Sequence, residues 1–332
     1  MTTPAEAIDV RLTNGVAISA PGVGTVTADA AAPGADVNVV SHAHGDHLFD
    51  ALPASGVVCS ELTARLAAVR RDTDVIVPTS HDAIELLPSG HVAGATAALV
   101  ESDVGTVLYT GDVSTRDRSY LSGFEPVDAD VLIVESTYGR PGYVFPPHEE
   151  VEREISEWLV ETHDSPAVCF GYALGKAQRV QSIVAASDRD RLFTTEAVLA
   201  INAVIEDALG VSFGAERYDD DVELGPGDVL VLPSQVGRFA WVRSLVADHG
   251  AVTAGFSGWA SDRSYVHRRG VDRGFVLSDH CDFNELIALV EAVDPERVYT
   301  HHGFASDLAA ELTRRSFDAV ALKANQTSLG DF

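Results

Sequence analysis

The sequence predicts an α/β protein. Short β-branched runs alternate with helical stretches, turn-forming Gly, Pro, Asp or Ser bound each one, and polar clusters repeatedly follow the strands. Strands are expected at Asp36–Val40, Thr106–Tyr109, Asp130–Val134, Ala167–Phe170, Asp228–Leu232, Gly274–Leu277 and Arg297–Tyr299. Helices are expected at Leu62–Arg70, Glu149–Thr162, Lys176–Ala186, Phe239–Asp248, Phe283–Ala292 and Ser306–Arg315. The clusters after the strands read SHAHGDH, TGD, ESTYG, SDH and THHG. Ligands gather at the carboxyl ends of strands in α/β sheets, so five such clusters predict one composite site rather than five unrelated loops.

With 332 residues, 46% of them hydrophobic, the chain has ample material for a core. It holds no run of about 18 apolar residues, and its first residues lack the basic-then-apolar pattern of a secretion signal. No membrane segment is expected. Cys59, Cys169 and Cys281 form no CxxC pair, which argues against a disulfide framework or a cysteine zinc cluster. A cytoplasmic location is the simplest reading. Acidic residues number 50 against 23 basic ones, giving a net charge of −27, and only Lys176 and Lys323 are lysines. Acidity spread along the whole chain is expected of a salt-loving, haloarchaeal-type cytoplasm, where molar salt screens self-repulsion within about 3 Å. In that setting an acidic surface serves solvation and counts little against a nucleic-acid substrate.

His42, His44, Asp46 and His47 place three imidazoles and a carboxylate within six residues, directly after a strand. Alternate residues of an extended segment point the same way, so His42 and His44 can face one metal. The turn at Gly45 turns Asp46 and His47 toward a second metal, about 3.5–4 Å away. His91, in SGHVAG, supplies a third nitrogen to the first ion. Asp112, at the end of LYTGD, can bridge two cations with its two oxygens. His302, in THHG, completes the second site, with its neighbour His301 as competitor for that role. Mixed imidazole and carboxylate ligation predicts two Zn²⁺ ions, with Mn²⁺ as the alternative. Two such cations suit hydrolysis of a phosphodiester.

The series HAHGDH, SGH, TGD and THHG resembles the metallo-β-lactamase superfamily, and the resemblance implies that family's αββα fold. Glu135 in VLIVESTYG and His280 in FVLSDHCDF are similar to the acidic and SxHxD motifs of its β-CASP nuclease branch. The resemblance implies that His280 protonates the leaving oxygen, that Glu135 holds it, and that Asp46 belongs to the catalytic set as well as to the ligands. GYALGKAQR, SGW and LSDHCDF resemble the exonucleases associated with bacterial DNA ligases and archaeal proteins of the mRNA 3′-end processing type. The expected partner is therefore a DNA or RNA strand, with an association with a DNA ligase pathway. Phe304 stands where many β-CASP enzymes carry an acidic residue. A histidine in the last motif is an RNA-type feature to which the ligase-associated group is the exception.

The resemblance also implies a domain division: residues 1–142 and 274–332 form the metallo-β-lactamase domain, and 143–273 form an inserted β-CASP cap. Within the cap, Lys176 and Arg179 share one helical face after a Gly-bearing turn, a pattern suited to an anion. Trp259 in SGW offers a stacking platform for a base, with a core role as the equal alternative. Arg268 and Arg269 lie in the most basic stretch of the chain and are expected to track phosphates. The leading functional expectation is a two-metal nucleic-acid exonuclease acting on DNA in repair. Its rivals are an RNA-processing nuclease, a small-molecule hydrolase and a scaffold subunit. The hydrolase would leave Glu135, His280 and the long insert without a purpose, and a scaffold would be expected to lose ligands.

Overall fold

The computed structural model describes residues 3–323, apart from 33, 54–55, 73–75 and 220. After a short helix α1 (Pro4–Ala7), the chain builds a first sheet from β1 (Asp9–Leu12), β2 (Val16–Ala20), β3 (Gly24–Ala28), β4 (Val37–Val39), β5 (Val57–Val58) and β6 (Pro78–Thr79), hydrogen-bonded in that order. Helix α2 (Glu61–Arg71) lies between β5 and β6 and starts where the Ser60 side chain accepts from the Thr63 amide. A second sheet takes β7 (Ile84–Pro88), β8 (Thr96–Ser102), β9 (Gly105–Tyr109) and β10 (Val131–Glu135).

A third sheet follows, with β11 (Ala167–Gly171), β12 (Arg191–Thr194), β13 (Glu216–Arg217), β14 (Asp228–Pro233), β15 (Val252–Phe256) and β16 (Arg273–Phe275). Its helices are α3 (His148–Glu161), α4 (Lys176–Ala185), α5 (Glu196–Leu209), α6 (Ala240–His249) and α7 (Tyr265–Arg269). The described residues close with α8 (Phe283–Val293), β17 (Arg297–His301), α9 (Ala305–Arg314) and β18 (Ala319–Ala321), and these two strands join the second sheet in the order β18-β17-β10-β9-β8-β7.

Strand periodicity explains the layers. In β9 and β10, Val107, Tyr109, Val131 and Ile133 face the first sheet and share a core with Val26, Val37 and Val39. Their neighbours Leu108, Leu132 and Val134 face the other way and pack on Leu286, Leu289 and Val290 of α8 and Leu308 and Leu312 of α9. Strands covered on both faces need apolar residues at every position, which is why VLIV in β10 shows no alternation. The result is the α/β metallo-β-lactamase type of architecture, sheet on sheet with helices outside.

The third sheet is parallel throughout. Ala167, Cys169, Val229 and Val231 pack against α3, α4 and Val198 of α5. Val168, Phe170, Leu230 and Leu232 face Val242 and Leu245 of α6 and Tyr265 of α7. All three cysteines are buried and free. Among the described residues, no helix is long and apolar enough to cross a membrane.

The chain divides into two compact units, one of Met1–Asp117, Ser122–Val144 and His280–Phe332, the other of Arg118–Leu121 and Phe145–Asp279. This division departs from the expected boundaries of 143 and 273. The strand expected at Gly274–Leu277 belongs instead to the second unit, because β16 pairs in parallel with β15, Ala254 opposite Arg273. The chain therefore leaves that unit only after Asp279. Residues 1–2 and 324–332, assigned above to the first domain, lie outside the described residues.

Candidate metal centre

β4 delivers the chain in an extended conformation through His44, and a 3-10 turn at Gly45–His47 follows. His44 Nδ1 stands 3.1 Å from His42 Nε2 and 3.3 Å from His91 Nε2. Asp112 Oδ2 is 3.5 Å from His42 Nε2 and 3.6 Å from His91 Nε2. Donors held 2.0–2.1 Å from one tetrahedral Zn²⁺ would stand roughly 3.3–3.4 Å apart. The four side chains therefore fit one cation, and their atoms all lie within 4.8 Å of one another.

The second expected set is looser. His47 Nε2 lies 3.6 Å from Asp112 Oδ2, so that oxygen faces both halves of the site. Asp46 Oδ2 is 3.9 Å from His47 Nε2 and its side chain is 76% exposed, at the rim. His302, in the left-handed region with φ 59°, is exposed and stacks on His47 with ring centres 5.5 Å apart. The structure thus brings His42, His44, His91, Asp112 and His47 together, with Asp46 and His302 flanking them. Its competitor His301 points inward, buried against Tyr109. The sharp turn after β17 depends on Gly303 at φ 48°, where a Cβ would stand 2.4 Å from the Ser136 carbonyl oxygen.

The tautomers follow from a layer the sequence did not disclose. Buried Asp29 accepts from the Ser41 amide at 2.7 Å, the Ser41 hydroxyl at 2.6 Å, the Tyr109 hydroxyl at 2.8 Å and His47 Nδ1 at 2.8 Å. His42 Nδ1 lies 2.9 Å from Ser41 Oγ. With protons on these Nδ1 atoms, Nε2 is the nitrogen that His42 and His47 turn toward the cluster. Burial, followed by the neighbouring His47, His44 and His91, holds His42 well below the usual imidazole range, as a ligand requires. The one available sequence signal for Asp29 was a carboxylate set within an apolar run, VTADAAA.

Glu135 ends β10 fully buried and lies 2.7 Å from His280 Nδ1, while its second oxygen accepts from the Thr137 amide at 2.8 Å. Burial by itself would raise its pKa, but His280 and the Thr137 bonds bring it down to about 2, so it remains a carboxylate. His280 is held by its surroundings. The Cys281 amide donates to the Val113 carbonyl at 2.8 Å, and Asp282 and Glu285 form the capping box that starts α8. Its ring lies 4.4 Å from that of His91.

The expected strand contacts fare differently. Lys176 and Arg179 are buried rather than displayed. Lys176 Nζ pairs with Asp279 at 2.8 Å, and Arg179 binds Glu152 at 2.9 Å and the Ser278 carbonyl at 3.2 Å. Arg118 also reaches Asp279, at 2.8 Å. The helix opening at Lys176 thus turns its cations inward to neutralise a buried carboxylate, and the anion site expected there is corrected to a structural ion-pair network. Trp259 is half-buried, while Arg268 and Arg269 are exposed.

No protein-family model matches the chain. It is 35% identical over 305 residues to a "Probable DNA ligase" of Opitutus terrae, a match covering 88% of this chain and 29% of that protein. It is 30% identical over 182 residues to an "RNase J-like protein" of Methanocaldococcus jannaschii, covering 45% of this chain and 43% of that one. A shorter match, 37% over 100 residues, is to "Cleavage and polyadenylation specificity factor subunit 3" of Dictyostelium discoideum, covering 29% of this chain and 13% of that one. The chain thus spans under half the length of each of these relatives. A crystal structure of a protein of unknown function from Enterococcus faecalis V583 shares the fold, with a TM-score of 0.63 and 14% identity over 96% of this chain and 97% of its own. The fold and the histidine–aspartate cluster are thus of the metallo-β-lactamase type, and the chain is similar over most of its length to a protein named as a DNA ligase and over shorter stretches to proteins named as an RNase and an RNA-processing factor.

Proposed function

We propose that the chain is a metal-dependent phosphodiesterase that removes nucleotides from DNA ends, in a repair setting that includes a ligase. The observation that carries the hydrolase reading is the convergence of His42, His44, His91 and Asp112 at tetrahedral-edge spacing, with the Glu135–His280 pair beside it. The DNA reading is supported by the extent of the match to the ligase-named protein, 88% of this chain, against 45% for the RNase J-like relative. An RNA-processing role is the second reading, favoured by the names of the shorter matches.

Two Zn²⁺ ions, or Mn²⁺, would be held by His42, His44, His91 and Asp112 on one side and by Asp46, His47, His302 and Asp112 on the other. When bound, such ions supply an activated water and neutralise charge on the phosphate. The chain's own residues do the rest. Asp29 and Ser41 fix the imidazoles, and Glu135 holds the His280 Nδ1 proton, leaving Nε2 to give a proton to the departing oxygen. The acidic composition and the two lysines support work at high salt.

The test is His280→Ala assayed in KCl with Zn²⁺ or Mn²⁺ on end-labelled DNA and RNA, single- and double-stranded. Metal content should be unchanged and turnover should fall about 10²–10⁴-fold. A nitrophenyl phosphodiester, whose leaving group needs little protonation, should be cut almost normally. Loss of metal from the variant would make His280 a ligand and sink this assignment. RNA cleaved in preference to DNA by the wild type would favour the second reading.

A further inference from the structure

In the second unit, α4 leads from β11 to β12, two places away on one side, whereas α6 leads from β14 to β15 on the other side. The carboxyl ends of β11 and β14 therefore flank a topological switch point, where open parallel sheets form a crevice. A cavity of about 230 Å³ opens on the face covered by α6 and α7, floored by Phe170, Gly255 and Tyr265. Two smaller-walled hollows of about 260 and 300 Å³ adjoin it, the first bordered by Tyr172 and the second by Trp259. Arg238 and Arg269 border all three, so they form one groove. Gly255 makes room for the Tyr265 ring by having no side chain: a Cβ there would stand 2.7 Å from the Tyr265 hydroxyl.

The charge of this groove runs against the rest of the molecule. Arg238, Arg243 and Arg269 line the cavity and are exposed. Among the described residues, neither Arg238 nor Arg243 has an acidic partner within 4.0 Å, in a chain with 50 carboxylates. Asp272 borders the cavity too, but its carboxylate accepts from the Thr253 amide and hydroxyl, both at 2.8 Å. At about 230 Å³ the cavity is smaller than the roughly 300–1,000 Å³ that takes a drug-sized ligand, so it suits one planar fragment. Arg269 lies over the Tyr265 ring, 5.9 Å from its centre, which leaves Arg238 and Arg243 as the two unpaired cations of the three. Arginines spaced along an aromatic-lined groove are the pattern of single-strand binding, phosphates on the cations and bases on the rings.

We propose that this groove binds a single nucleic-acid strand, with one base seated in the cavity against Tyr265 and Phe170 and the flanking phosphates on Arg238, Arg243 and Arg269. The proposal rests on the nuclease reading above and gives the second unit a strand-holding role of its own. It is tested with Arg238→Gln/Arg243→Gln in the full chain, with divalent metal chelated so that the strand stays intact. Anisotropy of a fluorescein-labelled oligothymidylate is followed across a KCl series, with circular dichroism checking the fold at each point.

Removing two phosphate contacts should reduce the salt slope by about 1.4 and weaken binding about tenfold at 0.2 M relative to 1 M salt. Hydrolysis of bis(p-nitrophenyl) phosphate by the metal-loaded variant should match the wild type. Unchanged strand affinity and slope would overturn the proposal. So would full displacement of the strand by free thymidine monophosphate at an equal concentration of nucleotide, which would make the occupant a free nucleotide. If the wild type hydrolyses neither substrate but binds the strand in an arginine-dependent way, the nuclease reading fails and the groove stands.

Discussion

Asp29→Asn separates the role of the hidden carboxylate from that of the ligands it supports. Asp29 Oδ2 accepts from the Ser41 hydroxyl, the Tyr109 hydroxyl and His47 Nδ1, while Oδ1 accepts from the Ser41 amide. An asparagine keeps the three-donor side only by turning its NH₂ toward the Ser41 N–H, two donors facing each other in a buried place. Flipped the other way, it loses three acceptances to keep one. The better orientation leaves one buried donor pair unsatisfied, which costs about 1–3 kcal/mol. It also removes the negative charge that keeps His47 Nε2 aimed at the cluster, and losing such a support typically costs 10–100-fold in metal affinity. The assay is a competitive chelator titration with Zn²⁺, paired with denaturant unfolding of the metal-free protein at the same salt. Metal affinity within twofold of the wild type, in a variant destabilised as expected, would refute the reasoning: Asp29 would then serve the fold and not the site.

Two further outcomes are expected. Lys176→Met should destabilise the protein by about 3 kcal/mol, the low end for breaking a buried pair, because Arg118 still faces Asp279; a loss under about 1 kcal/mol in guanidinium unfolding would contradict the structural role given to this network. Metal uptake should release protons. Burial would lower the His47 pKa, but Asp112 and Asp29 beside it raise it to about 10 in the metal-free protein. A folded-state pKa raised from 6.5 means that His47 adds stability below about pH 6.5 and that this contribution is lost as pH rises toward 10. Zn²⁺ affinity should therefore climb about tenfold per pH unit between about pH 7 and 9, one proton leaving for each ion bound through His47. Calorimetry in buffers of different ionisation heat reads that proton directly, and a pH-independent affinity would count against the His47–Asp29 pairing.

Composition, alternation and short motifs determine much of this protein. Six residues from His42 to His47 carry four of the seven expected ligands, because a metal site built on an extended segment and a turn is local in sequence. The expected strands at Thr106–Tyr109, Asp130–Val134 and Arg297–Tyr299 correspond to β9, β10 and β17, and the VLIV of β10 is legible because a strand buried on both faces must be continuously apolar. The helices at Lys176 and Phe283 start where the sequence marks them, at Gly175 and at the Asp282–Glu285 capping box. Tertiary structure alone decided what depends on distant partners. Asp29 is a lone carboxylate until Ser41, His47 and Tyr109, 12, 18 and 80 residues on, fold around it. Lys176 and Arg179 read as free cations in a helical turn, and only the fold supplies Asp279, about a hundred positions away in sequence order, to Lys176, and Glu152 and the Ser278 carbonyl to Arg179. The edge of the third sheet was likewise invisible, because a three-residue strand acquires its sheet from the neighbour it pairs with. Local pattern specifies which residues can ligate or cap. Which charges stay free to meet a strand is set by long-range neutralisation, and that exists only once the chain has closed on itself.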